Sequence, residues 1–147
     1  MGLENHYNLD MVGDELMRLK GPIFITGHTG FKGSWLSLLL SHLGIEHFGY
    51  SLKAEEDSLY ERANLEKVSS GVVGDTRDLE NLSKAIKDVR PSAVIHLAAQ
   101  PLVLKSYQEP LETFQTNCIG TANLLKAAFE TPSVEIVANI ELITVAP

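Results

Sequence analysis

Glycine recurs every third residue at Gly27, Gly30 and Gly33, within Gly27-His28-Thr29-Gly30-Phe31-Lys32-Gly33. An apolar, strand-like run precedes this segment (Ile23-Phe24-Ile25-Thr26), and a second apolar run of helical length follows it. Gly27 lets the backbone turn sharply off the strand. Gly30 keeps side-chain atoms away from whatever approaches the backbone, and Gly33 lets the helix sit close to the sheet. The N–H groups of the helix start and the positive end of its dipole then face one point, which suits a pyrophosphate. A strand before and a helix after are the context that separates such a turn from a chance run of glycines.

The rest of the chain repeats the strand–helix alternation. The first helix is expected over residues 31–43, with Gly44 as its stop. A second strand follows at 46–50, a short helix near 57–64 and a third strand at 68–73. Asp78 caps a helix running to Val89, in which Leu79, Leu82, Ala85, Ile86 and Val89 recur at helical spacing. Pro91 ends it. Residues 92–97 form a fourth strand, apolar enough to be covered on both faces. One long helix is expected over 110–130 and a fifth strand over 134–140. Alternation of this kind implies a parallel sheet with right-handed crossovers. The expected fold is therefore α/β, a Rossmann-type doubly wound parallel sheet of five strands in order 3-2-1-4-5. Its switch point sets the glycine turn against the end of the fourth strand. Residues 21–147 read as one dinucleotide-binding domain. Residues 1–20 read as a leader in which Leu9, Val12, Leu16 and Leu19 line one side of a short helix.

Composition narrows the function. A net charge of −7 without a Lys/Arg cluster argues against nucleic acid as a partner. The single cysteine, Cys118, leaves no internal disulfide and no cysteine-based zinc site, and fits a reducing cytoplasm. The most apolar stretch, residues 35–40, is too short to span a bilayer, and the N-terminus lacks the pattern of a signal peptide. A cytoplasmic protein with no membrane partner is expected.

Within the glycine turn, His28 reads as a pocket wall rather than an acid or base. Lys32 either adds charge near the phosphates or points to solvent. Trp35, on the first helix, reads as core. Asp75, at the carboxyl end of the third strand, either accepts from an adenine amino group with help from Thr76 or caps its own turn. Ala98 and Ala99, at the end of the fourth strand, are small enough for a flat cofactor to lie against. Gln100 is a candidate ligand contact. His96 reads as a satisfied core histidine, and Asn117 as a residue that bonds a nearby backbone group. After the second strand no acid appears until Glu55, and Lys53 stands in the region where a 2′-phosphate would lie, so these residues leave NAD and NADP both open.

Taken together, these segments resemble the extended short-chain dehydrogenase/reductase family. They are Gly27-His28-Thr29-Gly30-Phe31-Lys32-Gly33-Ser34-Trp35, Gly74-Asp75-Thr76-Arg77-Asp78, His96-Leu97-Ala98-Ala99-Gln100-Pro101-Leu102-Val103, Ser106-Tyr107 with Pro110, and Asn117 with Gly120-Thr121 and Asn123-Leu124-Leu125. The resemblance covers residues 21–140. His28 and Lys32 turn it toward the CDP-glucose 4,6-dehydratase subfamily. It implies an NAD-dependent lyase of nucleotide sugars: hydride leaves sugar C4, water leaves across C5 and C6, and the hydride returns to C6. By position, Gly27, His28, Thr29, Gly30, Phe31, Lys32 and Gly33 would form the pyrophosphate turn. Asp75 and Thr76 would hold the adenine end, and Ala98, Ala99 and Gln100 would line the cofactor crevice.

The sequence departs from the family pattern after the fifth strand. The family's Tyr-x-x-x-Lys pair does not occur in these 147 residues, and Asn139-Ile140 is followed by Glu141-Leu142-Ile143-Thr144-Val145-Ala146-Pro147. The expectation is a truncated NAD-binding portion, inactive alone, with no catalytic residue, no metal site and an exposed fifth-strand edge that favours homo-oligomers. Three alternatives stand beside it: another nucleotide-sugar epimerase or reductase, a non-catalytic nucleotide-binding or assembly module, and an empty cradle.

Overall fold

The computed structural model describes residues 18–140. The leader helix expected in residues 1–20 lies outside them except at its end. There Leu19 packs, partly buried, against the core residues Ile23, Ile25, Leu40 and Ala93.

Five parallel strands form one sheet in the order β3-β2-β1-β4-β5. They are β1 (Ile23–Thr26), β2 (His47–Ser51), β3 (Ser70–Val73), β4 (Ala93–His96) and β5 (Ile136–Asn139). β1 lies at the centre, with Ile23 opposite His47 on one side and Ala93 on the other. All four of its residues are buried, which explains an apolar run with no polar alternation.

Alternate side chains of β1 feed two separate cores. Phe24 packs with Tyr50, Val94, Leu82, Ile86 and Leu124, beneath helices α3 (Leu79–Val89) and α6 (Gly120–Phe129). Its ring stacks on Phe48, with centroids 6.1 Å apart. Ile23 and Ile25 point the other way, to Leu40 on α1 (Phe31–His42). Burying a side chain of this size contributes roughly 2–3 kcal/mol.

Local signals place the helix ends. α1 stops in a Schellman motif: Gly44 takes φ 69, its N–H bonds the Ser41 carbonyl, and the Ile45 N–H bonds the Leu40 carbonyl. Asp78 caps α3 by accepting from the Asn81 N–H at 3.1 Å. The short helix after β2 is α2 (Leu59–Arg62), followed by a 3₁₀ turn (Leu65–Lys67).

Two features differ from expectation. The single helix expected over 110–130 is three pieces: α5 (Pro110–Phe114), a wide π segment (Gln115–Ile119) and α6. An extra helix, α4 (Val103–Gln108), precedes them. Its residues lie between Pro101 and Pro110, a stretch to which the sequence pattern assigns no element; Pro110 opens α5 at its first turn, where its missing N–H costs nothing. Trp35 was expected in the core and is 56% exposed, because α1 turns Gly33, Ser34, Ser37 and Leu40 inward instead.

Candidate nucleotide-binding site

The glycine turn joins β1 to α1, and each glycine answers to a different neighbour. Gly27 takes φ 75, a conformation that strains any side chain. A Cβ there would also lie 2.7 Å from the backbone of Leu97 and Ala98, so the turn rests directly on the end of β4. A Cβ on Gly33 would lie 2.2 Å from the Gly27 carbonyl oxygen, so the first turn of α1 closes over the bend only without a side chain. Gly30 is different. A Cβ there would meet just the Gly27 carbonyl oxygen, at 3.3 Å, and otherwise open space. Gly27 and Gly33 permit the fold, whereas Gly30 keeps space clear in front of it.

That space faces unshared donors. Gly30 is the N-cap of α1 and supplies no side-chain cap. Its own N–H bonds the Gly27 carbonyl, and helical bonding resumes with the Ser34 N–H on the Gly30 carbonyl at 2.8 Å. The N–H groups of Phe31, Lys32 and Gly33 therefore fall in the first turn, where helix geometry provides no acceptor. No carboxylate occupies that turn to answer the dipole. Three donors, a positive helix end and a glycine-cleared approach match the charge and shape of a pyrophosphate.

His28 is buried behind the turn. Its ring meets Tyr60 edge-on at 5.3 Å, and it fills the room left by Gly49 and Gly71, where a Cβ would come within 2.2 Å and 2.9 Å of the imidazole. Its proton position follows from its partners. Thr29 Oγ1 donates to the Leu52 carbonyl at 3.1 Å, so Ser51 Oγ donates to Thr29 Oγ1 at 2.9 Å. Ser51 has then spent its proton, so His28 Nδ1–H donates to Ser51 Oγ at 2.9 Å. Burial, with His47 nearby, pushes the His28 pKa down to about 4.

His96, at the end of β4, is buried and bonded at both ring nitrogens. Thr121 Oγ1 donates to the Asn117 carbonyl at 2.6 Å, so it accepts from His96 Nε2–H at 3.0 Å. Nδ1 is then bare and accepts from Thr26 Oγ1 at 2.5 Å. Burial again lowers the pKa to about 4. The two histidines are opposite tautomers, each fixed by a hydroxyl whose proton is committed elsewhere.

The other sequence candidates lie along the carboxyl edge of the sheet. Asp75 follows β3, and its carboxylate accepts from the Arg77 backbone N–H and, at 2.6–3.0 Å, from the Arg77 guanidinium. The guanidinium holds the carboxyl below the usual carboxylate range. Thr76 is buried against Gly120, and Asn123 Nδ2 donates to the Thr76 and Arg77 carbonyls. Ala98 adjoins Gly27, and Ala98, Ala99 and Gln100 are half-buried. Asn117 in the π segment grips the Gln100 backbone: its Oδ1 accepts from the Gln100 N–H at 2.8 Å, and its Nδ2 donates to the Gln100 carbonyl at 3.2 Å. The Gln100 side chain is spent on Thr113 Oγ1 of α5 and on both backbone groups of Leu102.

Two cavities flank β3. One, of about 440 Å³, opens from His28 and Thr29 past Lys53 to Tyr60, Glu61 and Glu66. The other, of about 460 Å³, contains Asp75 and is lined by no residue of the glycine turn. Sequence reasoning missed the Ser51 link and the Tyr60–Glu66 wall, because both depend on pairing across elements that spacing alone does not show.

A parallel sheet with this strand order, carrying a donor-rich glycine turn at its switch point, defines the dinucleotide-binding class of α/β domain. The chain belongs to the family described as GDP-mannose 4,6 dehydratase, whose profile matches residues 24–141. It is 45% identical over 119 residues to a CDP-glucose 4,6-dehydratase of Salmonella typhimurium, covering 80% of this chain and 33% of that protein. Among solved structures it resembles the Thermus thermophilus UDP-glucose 4-epimerase in complex with NAD (30% identity, TM-score 0.69, 78% of this chain and 36% of that one). It also resembles the Thermotoga maritima UDP-glucose 4-epimerase with UDP-glucose (28% identity, TM-score 0.71, 80% of this chain and 37% of that one). The chain thus spans about a third of the length of the relatives it matches. The expected family resemblance and strand order both hold. Among the described residues, no helix is long and apolar enough to cross a membrane.

Proposed function

We propose that this chain is the NAD-binding portion of a CDP-glucose 4,6-dehydratase-like protein, which dehydrates a nucleotide sugar by transient hydride transfer. The observation that carries the reading is the Gly30 clearing in front of the free N–H groups of α1. The 45% identity to a CDP-glucose 4,6-dehydratase supports the substrate class. When bound, NAD supplies hydride acceptance and return. The chain's own residues bind and orient. Gly27, Thr29, Gly30, Phe31, Lys32 and Gly33 hold the pyrophosphate with His28 as the wall behind them, Asp75 and Thr76 border the adenine end, and Ala98, Ala99 and Gln100 form the crevice wall. The Arg77 pairing of Asp75 fixes the direction in which that carboxylate presents its remaining lone pairs.

Residues 21–147 act as one domain in this reading, residues 1–20 as a leader, and the protein as a cytoplasmic one. The 147 residues by themselves bind NAD and do not turn over CDP-glucose, since they contain no Tyr-x-x-x-Lys pair to supply a tuned base. Calorimetric titration with NAD should give saturable heat, and the purified chain should leave CDP-glucose unconsumed. Absence of heat removes the first claim, and measurable dehydration removes the second. The chain also self-associates through the face beside β5, where Ile136 and Ile140 are about half exposed. A monomer by light scattering at high concentration contradicts that.

A further inference from the structure

The end of β2 is where a dinucleotide-binding fold usually reads the ribose 2′ position with a carboxylate. Here that end carries Ser51, which is 6% exposed and consumed by His28 and Thr29. The hydroxyl and imidazole groups behind the glycine turn are thus tied to each other. The cavity that starts at His28 and Thr29 nevertheless passes directly along this end of β2, where Lys53 contributes to its lining. Its far wall comes from α2 and the 3₁₀ turn, which bring in Glu61 and Glu66.

The charges on that wall are one-sided. Glu61 is fixed by accepting from the Asp57 N–H at 3.1 Å. Burial first, and then the charge of Glu66, push the pKa of the Tyr60 phenol up, and Tyr60 stands edge-on to His28. Arg62, the cation nearest in sequence to Glu61, is held by both carboxylate oxygens of Asp57 at 2.6–2.8 Å. Among the described residues, Lys53 is the one cationic side chain lining the cavity, against the carboxylates of Glu61 and Glu66.

We propose that Glu61 and Glu66, reaching in from α2 and the 3₁₀ turn, take over the discrimination that a carboxylate at the end of β2 would make, and exclude a 2′-phosphorylated cofactor by like charge. The inference rests on the reading of the glycine turn as a pyrophosphate cradle. A 2′-phosphate brings close to two negative charges at neutral pH. In the cavity these meet Glu61 and Glu66, with Lys53 alone to offset them among the described residues. An unphosphorylated ribose brings no charge and meets no such barrier.

The test compares NAD with NADP, and 5′-AMP with adenosine 2′,5′-bisphosphate, by calorimetry on the whole chain. Wild type should prefer NAD over NADP by at least about tenfold. The pair Glu61→Gln and Glu66→Gln should narrow that ratio at least fivefold by gaining NADP affinity, with NAD affinity held within twofold. The adenosine pair should follow the same pattern. Raising salt should narrow the wild-type ratio too, as screening requires, and should do less in the double variant. Both glutamates are exposed, so the variants should melt with wild type. An unchanged ratio, or a ratio that shifts through lost NAD binding, overturns the proposal while leaving the cradle reading intact. If wild type binds neither NAD nor NADP, the cradle reading falls and takes the proposal with it.

Discussion

Two loops leave the carboxyl ends of neighbouring strands and touch at Gly27 and Ala98, yet their polar groups are treated in opposite ways. After β1, the glycine turn leaves three backbone donors unshared at the helix start. After β4, Gln100 is tied at both its backbone and its side chain, the first gripped by Asn117 and the second spent on Thr113 and Leu102. The donors of the glycine turn open outward at the exposed residues Phe31 and Lys32, where water or an anion reaches them, whereas the groups of Gln100 are consumed inside the fold. Open donors next to a cleared space are what a binding site for an anion requires. The Gln100 loop, by contrast, is a rigid wall, and its contribution to a ligand comes from shape.

The largest expected effect comes from closing the turn. Gly33→Ala forces a Cβ to within 2.2 Å of the Gly27 carbonyl oxygen. It should destabilise the chain by about 3 kcal/mol or more and abolish nucleotide binding, as read by thermal unfolding and calorimetry. On the other loop, Asn117→Ala removes two hydrogen bonds and leaves the Gln100 N–H and carbonyl unpaired. A loss of about 2 kcal/mol is expected, together with faster amide exchange at Gln100. If exchange there is unchanged, the wall is not held by Asn117.

The histidines behind the two loops should respond alike to acid. Each has a folded pKa near 4, below the ordinary value of 6.5, so the unfolded chain takes up the proton first. Their contribution is full above pH 6.5 and is lost as pH falls toward 4. Each histidine removes at most about 1.4 kcal/mol per pH unit in that window. Urea midpoints at pH 7, 5.5 and 4.5 should fall accordingly. A His96→Asn variant should show a shallower fall, and an unchanged slope would mean that His96 is not the group titrating. The smallest effect belongs to Asp75→Asn. Its partner Arg77 and its own carboxylate are about a third exposed, so stability should change by less than about 1 kcal/mol.

The features legible in the sequence were those set by local backbone chemistry. Gly44 as a helix stop, Asp78 as a cap and the three glycines each act through neighbours within a few residues. The apolar runs of β1 and β4 revealed a sheet covered on both sides. What escaped depends on contacts between distant segments. Trp35 looked like core by type, but small residues on the opposite face of α1 pack inward. The π segment exists where Asn117 reaches back to Gln100, 17 residues away in the chain. The π segment carries no composition that distinguishes it from an ordinary helix, and α4 is too short for a helical spacing to show.

The central claim is that the space before Gly30 belongs to a phosphate. Gly30→Ala tests it most directly, because the added methyl enters that space and, within the fold, meets just one atom, at 3.3 Å. Calorimetric titration with NAD should show wild type binding saturably. The variant should bind at least tenfold more weakly, while its melting temperature stays within about two degrees. Equal NAD affinity in the two proteins would contradict the account.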